Sequence, residues 1–242
     1  MPRTARIEVE GGIHHVTMRG NRKQAIFRDD HDRSFFLEEL ERTSRRYRWG
    51  WLAYCLMSNH CHLVIETPQQ TLGLGMRQLA SRHAQEFNRR HGIDGHLFRG
   101  RFGSVLVDSD RYFAQLLRYV ALNPVKAGLC VDPADWPWSS HRHMLNGGAE
   151  AAAARARVEA LLEPWGGSRG SRYARLFDPD SDFVLDGGEG PWAVRPPLDE
   201  LLTSTTPDDA IRAARKHGYR LAEIAAALGV HESTVSRRLR RG

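Results

Sequence analysis

Apolar and polar positions alternate along short stretches of the first half of the chain, and helix-spaced apolar sets separate those stretches. From Ile13 to Arg19, residues Ile13, His15, Thr17 and Arg19 share one side. His14, Val16 and Met18 share the other, and Gly20 stops the run. Trp49 to Met57 and His60 to Glu66 read as two further strands joined by Ser58-Asn59, which is hairpin spacing. Gly103 to Val107 gives another strand. Between them, Asp29-Asp30 caps a predicted helix through about Arg46, with Phe35, Phe36, Leu37 and Leu40 as its apolar positions. Thr71 is expected to cap a second helix, Leu72 to about Arg90, and Asp108 or Ser109 a third from Asp110 to about Leu122. Pro124 disfavours helical geometry at the residue before it, so the third helix is expected to end near Asn123.

Beyond this region the pattern loosens. Trp136 to His141 reads as an aromatic cover followed by a helix cap, and the Ala-rich stretch 149–162 as a helix. Residues 164–206 are rich in Gly, Pro, Ser and Asp, with a short helical Tyr173–Phe177, and read as connection rather than core. The tail changes character again, with helices at Asp208–Lys216, Leu221–Leu228 and Glu232–Arg240 and a turn at Gly229. That is helix-turn-helix spacing, with Ile224, Ala225, Leu228, Val230, Val235 and Leu239 inside. Ser233, Ser236, Arg237 and Arg240 would face a DNA groove. The domain reading is therefore 1–147 as the main domain, 148–204 as a helical and irregular connection and 205–242 as helix-turn-helix.

Composition sharpens the list of partners. The net charge of +6 favours a polyanion, and residues 207–242 hold eight Lys or Arg against four Asp or Glu. No stretch reaches the length of a membrane span, and the first twenty residues show no signal-peptide pattern. The three cysteines, Cys55, Cys61 and Cys130, cannot all pair, which points to reduced thiols in a cytoplasmic setting.

The candidate chemistry starts at His60-Cys61-His62. On a strand, the two histidines point the same way with Cα atoms about 6–7 Å apart, and Cys61 points into the core. Two imidazoles so placed can converge on one divalent cation, or be ordinary polar residues of a strand face. His15 either looks toward that site or is a half-buried strand residue. Arg19, Arg22 and Lys23 form a basic turn suited to phosphate or simply to solvent. Gly95 to Phe102 interleaves Arg99 and Arg101 with Phe98 and Phe102, which suits single-stranded nucleic acid or a tight turn anchored by its phenylalanines. Tyr119 and Asn123 lie one helical turn apart; alone, they read as a boundary tyrosine and a helix C-cap. Leu72-Gly73-Leu74-Gly75 lacks the Lys-Ser/Thr of a nucleotide loop.

Three motifs in order, AYCLMSNHCHL from Ala53, GHLFRGRF from Gly95 and RYVALNPVKAGL from Arg118, resemble the series of the REP-associated tyrosine transposases. These form a single-tyrosine branch of the HUH endonucleases. The likeness runs from about residue 5 to residue 145. Ser58 stands where the family usually has proline, and Ala121 where it often has histidine. The resemblance implies an α+β fold: a ferredoxin-like antiparallel sheet with helices on one face, followed here by an all-α helix-turn-helix domain. It implies His60, His62 and Asn123 as ligands of Mg²⁺ or Mn²⁺ and Tyr119 as the nucleophile that leaves a 5′-phosphotyrosine. Arg19, Arg22, Arg99 and Arg101 would hold single-stranded or hairpin DNA, and the terminal helices double-stranded DNA. A monomer is favoured over a dimer. The competing readings are a hairpin- or operator-binding regulator with dispensable catalysis, and a rolling-circle initiator or relaxase. The Asn-Pro-Val-Lys-Ala-Gly run after Tyr119 favours the transposase group over the last.

Overall fold

The computed structural model describes residues 8–148, 151–166, 172–178, 202, 207–216 and 221–239. The chain divides into two compact units, Met1–Ser181 and Asp182–Gly242.

Four strands build the sheet of the first unit: β1 (Gly12–Arg19), β2 (Gly50–Leu56), β3 (His60–Thr67) and β4 (Gly103–Val107), in the order β2-β3-β1-β4, all antiparallel. The Ser58-Asn59 hairpin closes as expected, with Met57 N–H donating to His60 O at 2.9 Å. Alternation then decides which face each residue joins. Val16, Met18, Cys61, Leu63 and Ile65 point to one face, where α1 (Asp30–Tyr47) and α2 (Leu72–His91) cover them with Phe36, Leu40, Met76, Leu79 and Phe87. Each such fully buried large side chain contributes about 1.5–3 kcal/mol, so this layer holds the sheet and the helix pair together. The predicted helix layer is this pair. A third helix, α3 (Asp110–Lys126), instead packs against β2, β3 and β4, through Phe113, Leu116, Leu117 and Val120, all buried. It crosses the opposite face, the one that carries His60 and His62.

Of the caps expected from sequence, those of α1 and α3 form. Asp29 accepts from Asp32 N–H at the start of α1, and Ser109, of the two candidates, accepts from Tyr112 N–H at the start of α3. Thr71 precedes α2 but does not cap it. Its hydroxyl accepts from Trp49 Nε1 at 2.9 Å, and Glu8 accepts from Gly73 N–H instead. The end of α3 also differs from expectation, since the helix runs through Pro124 to Lys126. The proline gives up one backbone donor, and the turn closes beyond it through Ala127 N–H to Asn123 O and Leu129 N–H to Pro124 O.

Strand β2 lies at the sheet edge, and residues 138–140 line its outer side. Leu56 N–H donates to Trp138 O at 2.9 Å and Ser140 N–H to Tyr54 O at 3.0 Å. Two helices from the stretch read as a connection also belong to this unit. α5 (Ala152–Leu161) packs on β2, and Arg157 reaches Glu66; α6 (Arg172–Arg175) places Tyr173 Oη 2.9 Å from His141 Nδ1 of α4 (His141–Asn146).

In the second unit, α7 (Pro207–Lys216), α8 (Leu221–Ala227) and α9 (Glu232–Leu239) enclose Ile211, Ala214, Ile224, Ala225 and Val235. Gly229 has φ +64° at the turn, a left-handed conformation that costs glycine little, and Val230 N–H closes back on Ala225 O.

Candidate active site

The register of β1 against β3 assembles the site. Thr17 lies opposite His62 and Arg19 opposite His60, so His15, Thr17 and Arg19 share the face of the two histidines. Of the two readings of His15, the one facing the site is correct. Its Nε2 lies 3.0 Å from His62 Nδ1, with the rings stacked at 5.2 Å. Cys61 points the other way and is fully buried in the main core.

Helix α3 brings Tyr119 over these rings. Its centroid is 5.3 Å from that of His62, edge to face, and 6.3 Å from that of His15. One turn on, Asn123 Oδ1 lies 3.4 Å from His60 Nε2. The helix continues past Asn123, so the two side chains keep true one-turn spacing. Asn59 Oδ1 lies 2.7 Å from His60 Nδ1, and Lys126 Nζ stands 5.2 Å above the Tyr119 ring. The sequence pattern marks neither of these two as a site residue. Asn59 looked like a turn former, whereas Lys126 was detectable only as a cation two turns beyond Tyr119 on the same helix.

Burial sets the protonation states. Desolvation lowers the pKa of His60; it lowers that of His62 well below the usual range, helped by His15, His60 and Arg19. Both rings are therefore neutral near pH 7, the form that ligates metals. Burial raises the Tyr119 phenol, while the Asn123 hydrogen bond and the Arg19 charge pull it back. The donor set fits a small divalent cation. Ligands in adjacent positions of an octahedron with bonds of 2.0–2.1 Å stand about 3 Å apart, and the facing His60 and Asn123 atoms are close to that. A second group, Asp29, Asp32 and His91, also gathers donors within 4.8 Å. Arg90 already binds both carboxylates there, and it holds the Asp29 carboxyl far below its usual range. That group is an ion-pair knot tying the start of α1 to the end of α2.

The basic residues gather along one rim. Leu97 O accepts from Asn21 N–H at 2.8 Å and Arg19 O from Arg99 N–H at 3.0 Å, so the 97–99 loop runs beside the end of β1. Arg19, Arg22, Arg99 and Arg101 are all exposed. Phe98 and Phe102 pack partly into the core, so the anchored turn and the basic surface coexist. Arg101 and Arg77 border a cleft of about 480 Å³ floored by Met18, Met76 and the two phenylalanines. In the second unit Ser233 and Arg237 are exposed and Ser236 is half-buried; Arg240 lies outside the described residues.

Residues 8–123 match the family described as Transposase IS200 like, and residues 209–241 match the Homeodomain-like domain. A Haemophilus influenzae protein provisionally named a REP-associated tyrosine transposase is 26% identical over 145 residues, covering 55% of this chain and 76% of that protein. A solved REP-associated tyrosine transposase bound to a REP hairpin superposes with a TM-score of 0.52 at 20% identity, over 61% of this chain and 87% of that one. The fold is thus shared, and the resemblance carried by the three sequence motifs holds.

Proposed function

From the match of residues 8–123 to the family described as Transposase IS200 like, we propose that this protein cleaves and rejoins single-stranded DNA at repetitive hairpins. The observation that carries the reading is the meeting of Tyr119, Asn123, His60 and His62 on one face of the sheet, within one chain.

His60, His62 and Asn123 would hold Mg²⁺ or Mn²⁺, which supplies Lewis-acid polarisation of the scissile phosphate. The remaining work falls to the chain itself. Arg19, Arg22, Arg99 and Arg101 grip the backbone of the hairpin and its single-stranded flank. Helix α3 aims the Tyr119 oxygen at phosphorus. Arg19 favours the phenolate, whose proton goes to solvent. The phenolate oxygen bonds to phosphorus as the bond to the 3′ oxygen breaks. That oxygen takes up a proton and leaves as a 3′-hydroxyl, while the 5′ side stays on Tyr119 as a phosphotyrosine. Attack by a 3′-hydroxyl reverses the step, so no nucleotide cofactor is required. Because Tyr119 reaches the histidines of its own chain, a monomer suffices. Residues 1–147, with α5 and α6 packed onto them, would form the catalytic domain, and 205–242 a double-strand-binding domain using Ser233, Ser236, Arg237 and Arg240. Acting on chromosomal DNA, the protein would work in the cytoplasm at the nucleoid.

Incubation with a labelled hairpin oligonucleotide and Mn²⁺ tests this. A covalent protein–DNA adduct that disappears in Tyr119→Phe is expected. An adduct that survives the substitution, or none with the intact protein, overturns the mechanism. The match over residues 209–241 favours one alternative, a DNA-binding regulator with dispensable catalysis. It is preferred if Tyr119→Phe retains every cellular effect of the intact gene.

A further inference from the structure

A neutral imidazole ligates a cation only through its unprotonated nitrogen, so the proton must be held on the other one. In this site both Nδ1 atoms face a side chain that can hold it. Asn59 Oδ1, 2.7 Å from His60 Nδ1, is an amide oxygen and can only accept. The orientation of that amide is itself fixed, because Asn59 Nδ2 donates to Lys23 O at 3.2 Å. His60 Nδ1 therefore carries the proton, and its Nε2 presents a lone pair toward Asn123 Oδ1. Two acceptors facing each other at 3.4 Å are an arrangement that a cation between them relieves. His62 has the matching contact on its far side: its Nδ1 lies 3.0 Å from His15 Nε2, with both rings buried.

Resting on the metal-site reading above, we propose that His15 and Asn59 are positioning residues that fix the tautomers of the two ligand histidines. His62 Nδ1–H donates to His15 Nε2, and His60 Nδ1–H donates to Asn59 Oδ1. Both Nε2 lone pairs then point to the face beneath Tyr119. The opposite tautomer of the His15–His62 pair would place a proton on His62 Nε2 and close that position to a cation. The register explains why His15 can do this. It stands opposite Val64 on β1, one same-face step diagonally from His62, which is within reach of a ring-to-ring hydrogen bond. Asn59 gains its place from the two-residue hairpin, which sets it immediately before His60.

Mn²⁺ binding by the full-length protein without DNA, followed by electron paramagnetic resonance, tests the proposal. Thermal unfolding is measured alongside. His15→Phe keeps the ring volume and removes the acceptor; it should weaken Mn²⁺ binding by about 10- to 100-fold. His15→Gln, whose amide oxygen can accept from His62, should restore most of that loss. Asn59→Ala, on a half-buried turn outside the core, should weaken binding with little change in unfolding temperature, and Asn59→Asp should rescue it. Ring ¹⁵N shifts with Mg²⁺ bound should show both ligand histidines protonated at Nδ1. Wild-type binding that persists undiminished in His15→Phe and Asn59→Ala, or ligand rings protonated at Nε2, overturns the tautomer proposal while leaving the metal site standing. Should His15→Phe fail to fold, the Asn59 pair and the ¹⁵N shifts decide alone. Failure of the wild type to bind Mn²⁺ at all overturns the metal reading itself, and the tautomer proposal with it.

Discussion

At the scale of single residues, the site depends on few atoms in contact. Asn123 illustrates this: its amide faces His60 and hydrogen-bonds Tyr119 at once. Asn123→Ala should cut Mn²⁺-dependent adduct formation by about 10- to 100-fold with hairpin affinity unchanged, as separate cleavage and gel-shift assays will show. The cysteines give a prediction of another kind. Burial pushes the Cys61 thiol up to about 12 and raises Cys55 further, whereas Cys130 is partly exposed. A native thiol titration should therefore count one reacting group, and a denatured one three. That His60 and His62 share one face is legible from their spacing, because strand alternation is local. His15 was readable only as an even choice, because the choice depends on which neighbour β1 pairs with. Asn59 and Lys126 could not be read as site residues, since their contacts exist only after the hairpin and α3 have docked.

Among the elements, α2 is closely fitted at Gly75. A methyl group at Gly75 would overlap the indole of Trp49, whose Nε1–H is tied to Thr71. Gly75→Ala should then destabilise the protein by about 1–3 kcal/mol despite the better helix propensity of alanine, visible as a lower denaturation midpoint. The strands and the helix pair followed from periodicity, since each buries one face. The misjudged elements were those whose ends or roles are set by distant partners. α3 survives Pro124 because the carbonyls of Asn123 and Pro124 find donors just downstream. Thr71 was claimed by Trp49 and so did not cap. The Ala-rich stretch forms the expected helix, but its assignment to a connection fails, because small residues mark no core. α5 lies on β2, with Val158 fully buried.

For the molecule as a whole, charge and acidity make the testable difference. Hairpin affinity should fall steeply with salt, and replacing Arg99 or Arg101 by alanine should each reduce the log–log slope by about one. Stability should fall on acidification. His141 is buried against Tyr173, and burial lowers its pKa from 6.5 to about 4. The unfolded chain therefore binds more protons between those values. The stabilisation is complete above pH 6.5 and is lost as pH falls toward 4, on the order of 2 kcal/mol for a buried ring. Urea midpoints at pH 7.5 and 5 should differ accordingly, and His141→Gln should narrow the gap.

The two faces of the sheet do unrelated work: α1 and α2 bind it together on one, and Tyr119 meets the histidines on the other. Inactivation therefore need not bring collapse. A descendant that lost the proposed chemistry would keep its core intact, a sturdy scaffold free to be turned to another use.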